Sequence, residues 1–290
     1  MTERQRVEVA VRIGRLLDSL GDGPVFVHAD PFRAARLIDP TRDRDELLDR
    51  HLDLIRSAAG DRAIWMPAFN YDFPRTGVFN VGDDPCQLGP VPERFRTQEA
   101  RWRTPIPIFS VAGTGERREV TWGDYTDPFG DESMFAELVR SNGVILYYGR
   151  TFHYNTIVHY SERRSGGPSY RYDKLFPGTV TYRDGSQLRG SLRYHVRPLG
   201  FGLEYDWDRL LSDSVSAGAC SVLEGYPEVL AASAQSIDAF FVDEMRRDPL
   251  ALLDRTTRAW VEPALNKLGR AFDITDFESA EPRVPAAVRS

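Results

Sequence analysis

Val144-Ile145-Leu146-Tyr147-Tyr148-Gly149-Arg150-Thr151-Phe152-His153-Tyr154-Asn155-Thr156-Ile157-Val158-His159-Tyr160-Ser161-Glu162 is the stretch that decides how this chain folds and where its chemistry lies. Its first five residues form a short continuous apolar run, the pattern of a strand buried on both faces. Gly149 ends the run, and the residues after it are polar and carry His153 and His159. A helix starting near Asn155 puts Asn155, His159 and Glu162 on one face, at i, i+4 and i+7. In an α/β sheet, ligands bind beyond the carboxyl end of a strand. An imidazole there suits proton transfer near neutral pH, and a neighbouring carboxylate would orient it or raise its basicity. The same spacing also fits a surface histidine beside a solvated glutamate.

Outward from this stretch, the first half of the chain alternates helical and strand patterns. Residues 4–20 carry Val7, Val11, Ile13, Leu17 and Leu20 at near-helical spacing, stopped by Gly21-Asp22-Gly23-Pro24. Val25 to His28, Ala63 to Met66 and Ile108 to Ala112 read as strands, and 43–59 and Glu132 to Val139 as helices. The Gly- and Pro-rich stretch 67–107 reads as a long functional loop. Asp184-Gly185 between β-prone runs predicts an antiparallel hairpin region over about 169–197, extending or flanking the sheet. Helical patterns follow at about 206–217, 228–246 and 249–268, the last beginning near Pro249, and the tail from Asp273 reads as poorly ordered. The expected fold class is α/β: a largely parallel central sheet flanked by helices, with a helical C-terminus. The expected organisation is a single α/β domain over 1–248, then a C-terminal helix and tail over 249–290. That helix could serve a homo-oligomeric interface.

The chain has 290 residues, 41% of them apolar, with 5 Trp, 12 Tyr and 16 Phe, too apolar and aromatic for a disordered chain. No window approaches 18 consecutive apolar residues, and the polar start, Met1 to Ala10, has no signal-peptide character. Cys86 and Cys220 cannot form a disulfide framework, so a cytoplasmic protein is expected. The net charge of −6 argues against a nucleic-acid or anionic-membrane partner and is compatible with an amine-bearing small molecule. The sequence contains no Gly-x-Ser-x-Gly elbow, no Walker loop and no strand-following Gly-x-Gly-x-x-Gly. His153, His159 and Glu162 could be three metal ligands with an open position, but no second histidine stands at the spacing of zinc proteases, and no metal is expected.

Four segments in order resemble the aminoglycoside 3-N-acetyltransferase family, over about residues 5–245. They are Val25 to Asp30; Trp65 to Tyr71; Leu88 to Arg96 continuing through Arg103 to Gly113; and Phe129 to Ser133 followed by Asn155 to Glu162. The resemblance implies an α/β fold and transfer of an acyl group, acetyl in that family, from acetyl-CoA or another acyl-CoA to a small-molecule amine such as an amino sugar. It implies that His159 is the general base and Glu162 the carboxylate that orients it. On the donor side it points to Ala29, Asp30, Arg103, Ser110 and Val111, the strand ends matching those that hold pantetheine. Tyr71, Asp72, His153, Tyr154 and Asn155 are candidates for the acceptor side. Asp206 would be a second acidic contact to an ammonium, or a helix N-cap. The chain departs from the family where Ala29-Asp30 replaces two serines and where Ile106 and Phe109 replace histidines. These departures motivate two alternatives: a non-catalytic or altered-donor member that only binds an amine, and a metal-dependent amide hydrolase using His153, His159 and Glu162.

Overall fold

In a computed structural model of the chain, residues 3–116 and 119–279 are described. Helix α1 (Glu3–Leu20) leads into strand β1 (Val25–Ala29), then helix α2 (Arg44–Ala59) and strand β2 (Ile64–Pro67). Helix α3 (Phe73–Thr76), strand β3 (Val78–Asn80), helix α4 (Pro90–Gln98) and strands β4 (Trp102–Arg103) and β5 (Val111–Gly113) follow. Next come helix α5 (Met134–Arg140), strand β6 (Val144–Tyr148), helix α6 (Ile157–Arg164) and the strands β7 (Tyr172–Thr181) and β8 (Gln187–Val196). Helix α7 (Trp207–Ser216), strands β9 (Ser221–Leu223) and β10 (Tyr226–Ser233), and helices α8 (Ala234–Arg247) and α9 (Arg255–Leu268) complete the order.

The central sheet is mixed, in the order β4-β5-β2-β1-β6-β10-β9. β2, β1 and β6 run parallel at its centre, and the strands outside them pair antiparallel. Strand alternation assigns each side chain to a face. Val25 and Val27 of β1, with Val144, Leu146 and Tyr148 of β6, pack under α1 and α2. Phe26 and His28, with Ile145 and Tyr147, point to the opposite face, which carries α5, α6 and α8. That alternation puts His28 beside Tyr147, their rings 6.1 Å apart and nearly parallel. Helix α2 is capped by Asp43, which accepts from the Asp45 and Glu46 amides, and it ends at Gly60.

The hairpin β7–β8 forms as expected, with ten paired positions, and flanks the main sheet in a separate three-stranded sheet with β3. Several other expectations change. The stretch 67–107 is not a loop: it holds α3, β3, α4 and β4. The 228–246 segment begins as strand and becomes helix only from Ala234. Val229 to Ser233 pair with β6, and the buried slot on the sheet overrides the helix-forming Leu230-Ala231-Ala232. The last helix starts at Arg255 under an Asp254 cap, not at Pro249, and its Trp260 and Val261 pack against Tyr172, Val196 and Phe201 of the same chain. The segment from Asp273 is built: Asp273 caps a 3-10 turn, and Glu278 accepts from Tyr172 at 2.8 Å. Residues 280–290 of the tail lie outside the described residues. Among the described residues, no helix is long and apolar enough to cross a membrane.

Strand β6 ends at a close crossing. Gly149 has φ +89, and a Cβ added there would stand 2.4 Å from the Asp30 carbonyl oxygen at the end of β1. Gly269 has φ +65 and ψ +16, in the left-handed helical region, but faces open space. Gly149→Ala is therefore expected to lower unfolding stability by about 2–4 kcal/mol, against about 1 kcal/mol for Gly269→Ala. Urea unfolding of both variants checks this, and equal losses would contradict it.

Candidate active site

The parallel strands β1, β2 and β6 end on the same side of the sheet. The chain moves outward from β1 to β2, then returns to place β6 on the other flank of β1. A crevice opens at the carboxyl ends of strands where the order reverses in this way. Here it is a cleft of about 390 Å³, walled by Val27, His28, Ala29 and Pro67 from the strand ends. Asn155, Val158 and His159 enter from the chain leaving β6. That chain is pinned before it turns into α6. Thr151 Oγ1 donates to the His28 carbonyl at 3.0 Å, and the Gly149 amide donates to the Glu228 carbonyl at 2.9 Å. The helix starts at Ile157, two residues later than expected, so Asn155 precedes it on a short turn but still lines the cleft.

Within α6, His159 and Glu162 are one turn apart and meet: Nδ1 lies 2.9 Å from Oε2. Glu162 is fully buried, and four further groups donate to it. His195 Nε2 reaches the same Oε2 at 3.0 Å. Tyr170 Oη at 3.0 Å, Arg171 Nε at 3.2 Å and the Tyr205 hydroxyl reach Oε1. Burial alone would raise the Glu162 pKa, but Arg171 and the imidazole hydrogen bonds hold it well below the usual carboxylate range. An ionised carboxylate only accepts. Both histidines must therefore turn a protonated nitrogen toward it, which leaves His159 Nε2 as the unprotonated atom on a ring that lines the cleft.

Contrary to the expectation that Glu162 makes this imidazole more basic, the His159 pKa is lowered to about 4. Burial is the main cause and Arg171 adds to it, outweighing the pull of Glu162. The ring packs against Phe129 and Tyr194, at centroid distances of 5.2 Å and 5.9 Å, which supply the dry surroundings. At neutral pH the site holds a neutral His159, a neutral His195 and a Glu162–Arg171 ion pair. It can take a proton at Nε2 and settle the new charge against Glu162.

Of the candidate residues, His159, Ala29, Tyr71, His153, Tyr154 and Asn155 line the cleft, and Glu162 stands behind His159. The donor-side candidates Arg103, Ser110 and Val111 do not. Arg103 donates to Ser110 Oγ at 3.0 Å, and both donate to the Ala68 carbonyl, so their polar atoms are used within the interior. Val111 is fully buried in β5. Asp30 spends its carboxylate on the Phe32 and Arg33 amides, and Asp72 binds Gln87 and Arg75. Asp206 is the N-cap of α7, accepting from the Arg209 amide. Ile106 and Phe109 are core residues, Phe109 against Phe69, Phe129 and Tyr194. His153 packs against Tyr154 with ring centroids 3.8 Å apart and planes tilted by 49°. Among the described residues, the group whose atoms approach closely enough to share a cation is His159, Glu162 and His195, without His153. Its contacts have hydrogen-bond lengths, and Arg171 already occupies the carboxylate.

Sequence reading missed His195, Arg171, Tyr170, Tyr205 and the cleft residues Gln87 and Trp207. His195 comes from β8 and Tyr205 from the chain before α7, so only the fold brings them to Glu162. The one signal for His195 was its rarity, as one of 5 histidines, in a strand pattern.

No curated protein matches the sequence. Solved structures share the fold. AAC-IIIb, in a binary complex with CoASH, superposes with TM-score 0.65 at 18% identity, covering 84% of this chain and 96% of that one. Aminoglycoside acetyltransferase AAC(3)-IVa, as apoenzyme, gives TM-score 0.58 at 22% identity over 86% and 91%. YokD protein from Bacillus subtilis gives 0.59 at 14% over 82% and 93%. The family model for aminoglycoside 3-N-acetyltransferase matches residues 57–203, just over half of the chain, from the end of α2 through β8 and including α6. The chain therefore belongs to the aminoglycoside 3-N-acetyltransferase family, enzymes that transfer an acyl group to an amine.

Proposed function

We propose that this protein is an N-acyltransferase that moves an acyl group, acetyl in the first instance, from a CoA thioester to a small-molecule amine, with His159 as general base. The observation that carries the reading is the 2.9 Å contact between His159 Nδ1 and a fully buried, ionised Glu162, on a ring that lines the cleft. The donor thioester supplies an electrophilic carbonyl carbon and a sulfur leaving group. The cleft carries polar atoms suited to such a group. Asn155 is 1% exposed, its side-chain amide beside the buried Tyr147 hydroxyl, and buried His28 has Nε2 unpartnered. Asn155 Nδ2 would donate to the oxygen on which negative charge develops.

An alkylammonium has no free lone pair, so the acceptor reacts as its neutral amine, its ammonium proton left to solvent. As nitrogen bonds to the carbonyl carbon its own N–H becomes strongly acidic, His159 Nε2 accepts that proton, and Glu162 Oε2 stabilises the imidazolium through Nδ1–H. The new C–N bond forms as the C–S bond breaks, and His159 delivers its proton to the departing sulfur. Burial suits this second proton transfer, because an imidazole with so low a pKa returns a proton readily. Arg171, Tyr170, Tyr205 and His195 are positioning residues that keep Glu162 ionised and its Oε2 aimed at His159.

His159→Ala is expected to lower kcat/KM for acetyl transfer by about 10²–10⁴-fold with an unchanged circular dichroism spectrum; near-normal turnover would overturn the mechanism. Glu162→Gln leaves Arg171 buried without its counter-charge. It is expected to lose activity and about 3–5 kcal/mol of stability, read by denaturant unfolding, and a fully stable variant would contradict the placement.

The buried imidazoles also set an acid limit. His28 is held at about 3, and His51 and His159 at about 4, each chiefly by burial. Between pH 6.5 and about 4 the unfolded chain binds protons that the native chain refuses, so stability must fall as pH drops through that window. Three such imidazoles give a slope approaching roughly 4 kcal/mol per pH unit below pH 6. Urea unfolding from pH 7 to pH 5 measures it, and a flat profile would contradict the buried neutral state.

A further inference from the structure

The family takes its name from aminoglycosides, which are polycations, yet the cleft of this chain is not built to hold several positive charges. None of the described residues that line it is an aspartate or glutamate. The carboxylate in contact with His159, Glu162, is fully buried behind that ring and engaged by five donors.

Four aspartates stand close by in sequence to cleft residues, and three of them are each answered by an arginine three residues later, Asp208 being the exception. Asp30 has Arg33 Nε at 3.5 Å, Asp72 has Arg75 Nη2 at 3.2 Å, and Asp206 has Arg209 Nε at 3.8 Å. Each of these three carboxylates also accepts a further hydrogen bond: Asp30 from backbone amides, Asp72 from Gln87 Nε2 at 2.9 Å, and Asp206 from the Arg209 amide. Of the charges that bear on His153 in the cleft, Arg33 opposes Asp30 and Asp208, so the balance there is a single negative charge. A ligand with several ammonium groups would have to give up hydration with at most one carboxylate to replace it, a net loss.

The walls instead offer rings. Phe69, Tyr71, Tyr154 and Trp207 line the cleft, and Tyr71 and Tyr154 leave 51% and 55% of their surface exposed. Exposed aromatics around a concave site favour stacking with an apolar body and tolerate one cation on a ring face.

Building on the acyltransferase reading above, we infer that the acceptor is a primary amine on an aromatic or largely apolar body carrying no more than one positive charge, rather than a polycationic amino sugar.

The test compares 2-phenylethylamine with gentamicin, using acetyl-CoA as donor and CoA release as the signal, with calorimetry of each amine alone as a readout independent of turnover. The expected result is a kcat/KM at least tenfold higher for 2-phenylethylamine, with a KM that hardly changes between about 0.05 and 0.3 M salt, since exposed-charge attraction would be screened over that range. Tyr154→Ala should weaken 2-phenylethylamine binding at least threefold. Arg33→Gln with Arg75→Gln, at positions 56% and 76% exposed, should improve gentamicin binding and leave 2-phenylethylamine unchanged, because it frees Asp30 and Asp72. Gentamicin acetylated as well as or better than 2-phenylethylamine would overturn the inference while leaving acyl transfer standing. Calorimetric binding of 2-phenylethylamine without acetylation of either amine would support the inference and count against the acyltransferase reading. No calorimetric binding of 2-phenylethylamine would also overturn the inference.

Discussion

A single buried carboxylate organises the functional end of this molecule. Glu162 lies with no exposed surface between α6, the hairpin and the chain before α7, and five groups donate to its two oxygens. An unpaired charge in that position would be prohibitive, and Arg171 alone would leave lone pairs unsatisfied. The two histidines and two tyrosines complete the shell, and in doing so they bind three distant parts of the chain to one helix turn. Because the carboxylate only accepts, it dictates the tautomer of His159, so the stabilising interaction and the reactive lone pair have one cause.

The sheet supplies the position. Parallel strands β2, β1 and β6 bring their carboxyl ends together, and the reversal of strand order at β1 leaves the crevice into which α6 begins. Gly149 allows β6 to pass the end of β1 at a separation no side chain would permit. Strand alternation then turns His28 and Tyr147 toward the same face as α6, and Val27 and Leu146 away from it. A shift of one residue in β1 would exchange His28 for Val27 on that face.

What could be read from the sequence divides along a physical line. Strands β1, β2 and β6 were legible because strands covered on both faces are short apolar runs, and α2 because its apolar face repeats at helical spacing. His159 and Glu162 were legible because a helix brings i and i+3 together. β10 was not, because Leu230-Ala231-Ala232 favours a helix locally and becomes a strand only through its pairing with β6. His195 and Tyr205 reach Glu162 across sequence separations of 33 and 43, which no local pattern encodes. Arg103 and Ser110 sit in a stretch that resembles the family's donor side, yet they bond to each other and to Ala68 inside the protein. The basicity of His159 was misjudged for a related reason: proximity to a carboxylate is visible in sequence, whereas the burial against Phe129 and Tyr194 and the positive charge of Arg171, which together outweigh it, are brought in by the fold.

The most direct measurement is the ¹⁵N spectrum of the His159 ring at pH 7, assigned by comparison with His159→Ala. The structure predicts a neutral ring protonated at Nδ1, with an unprotonated Nε2 whose resonance responds when an amine is added. A ring protonated at Nε2, or an imidazolium at that pH, would contradict the claim that Glu162 holds this histidine ready to accept a proton from the cleft.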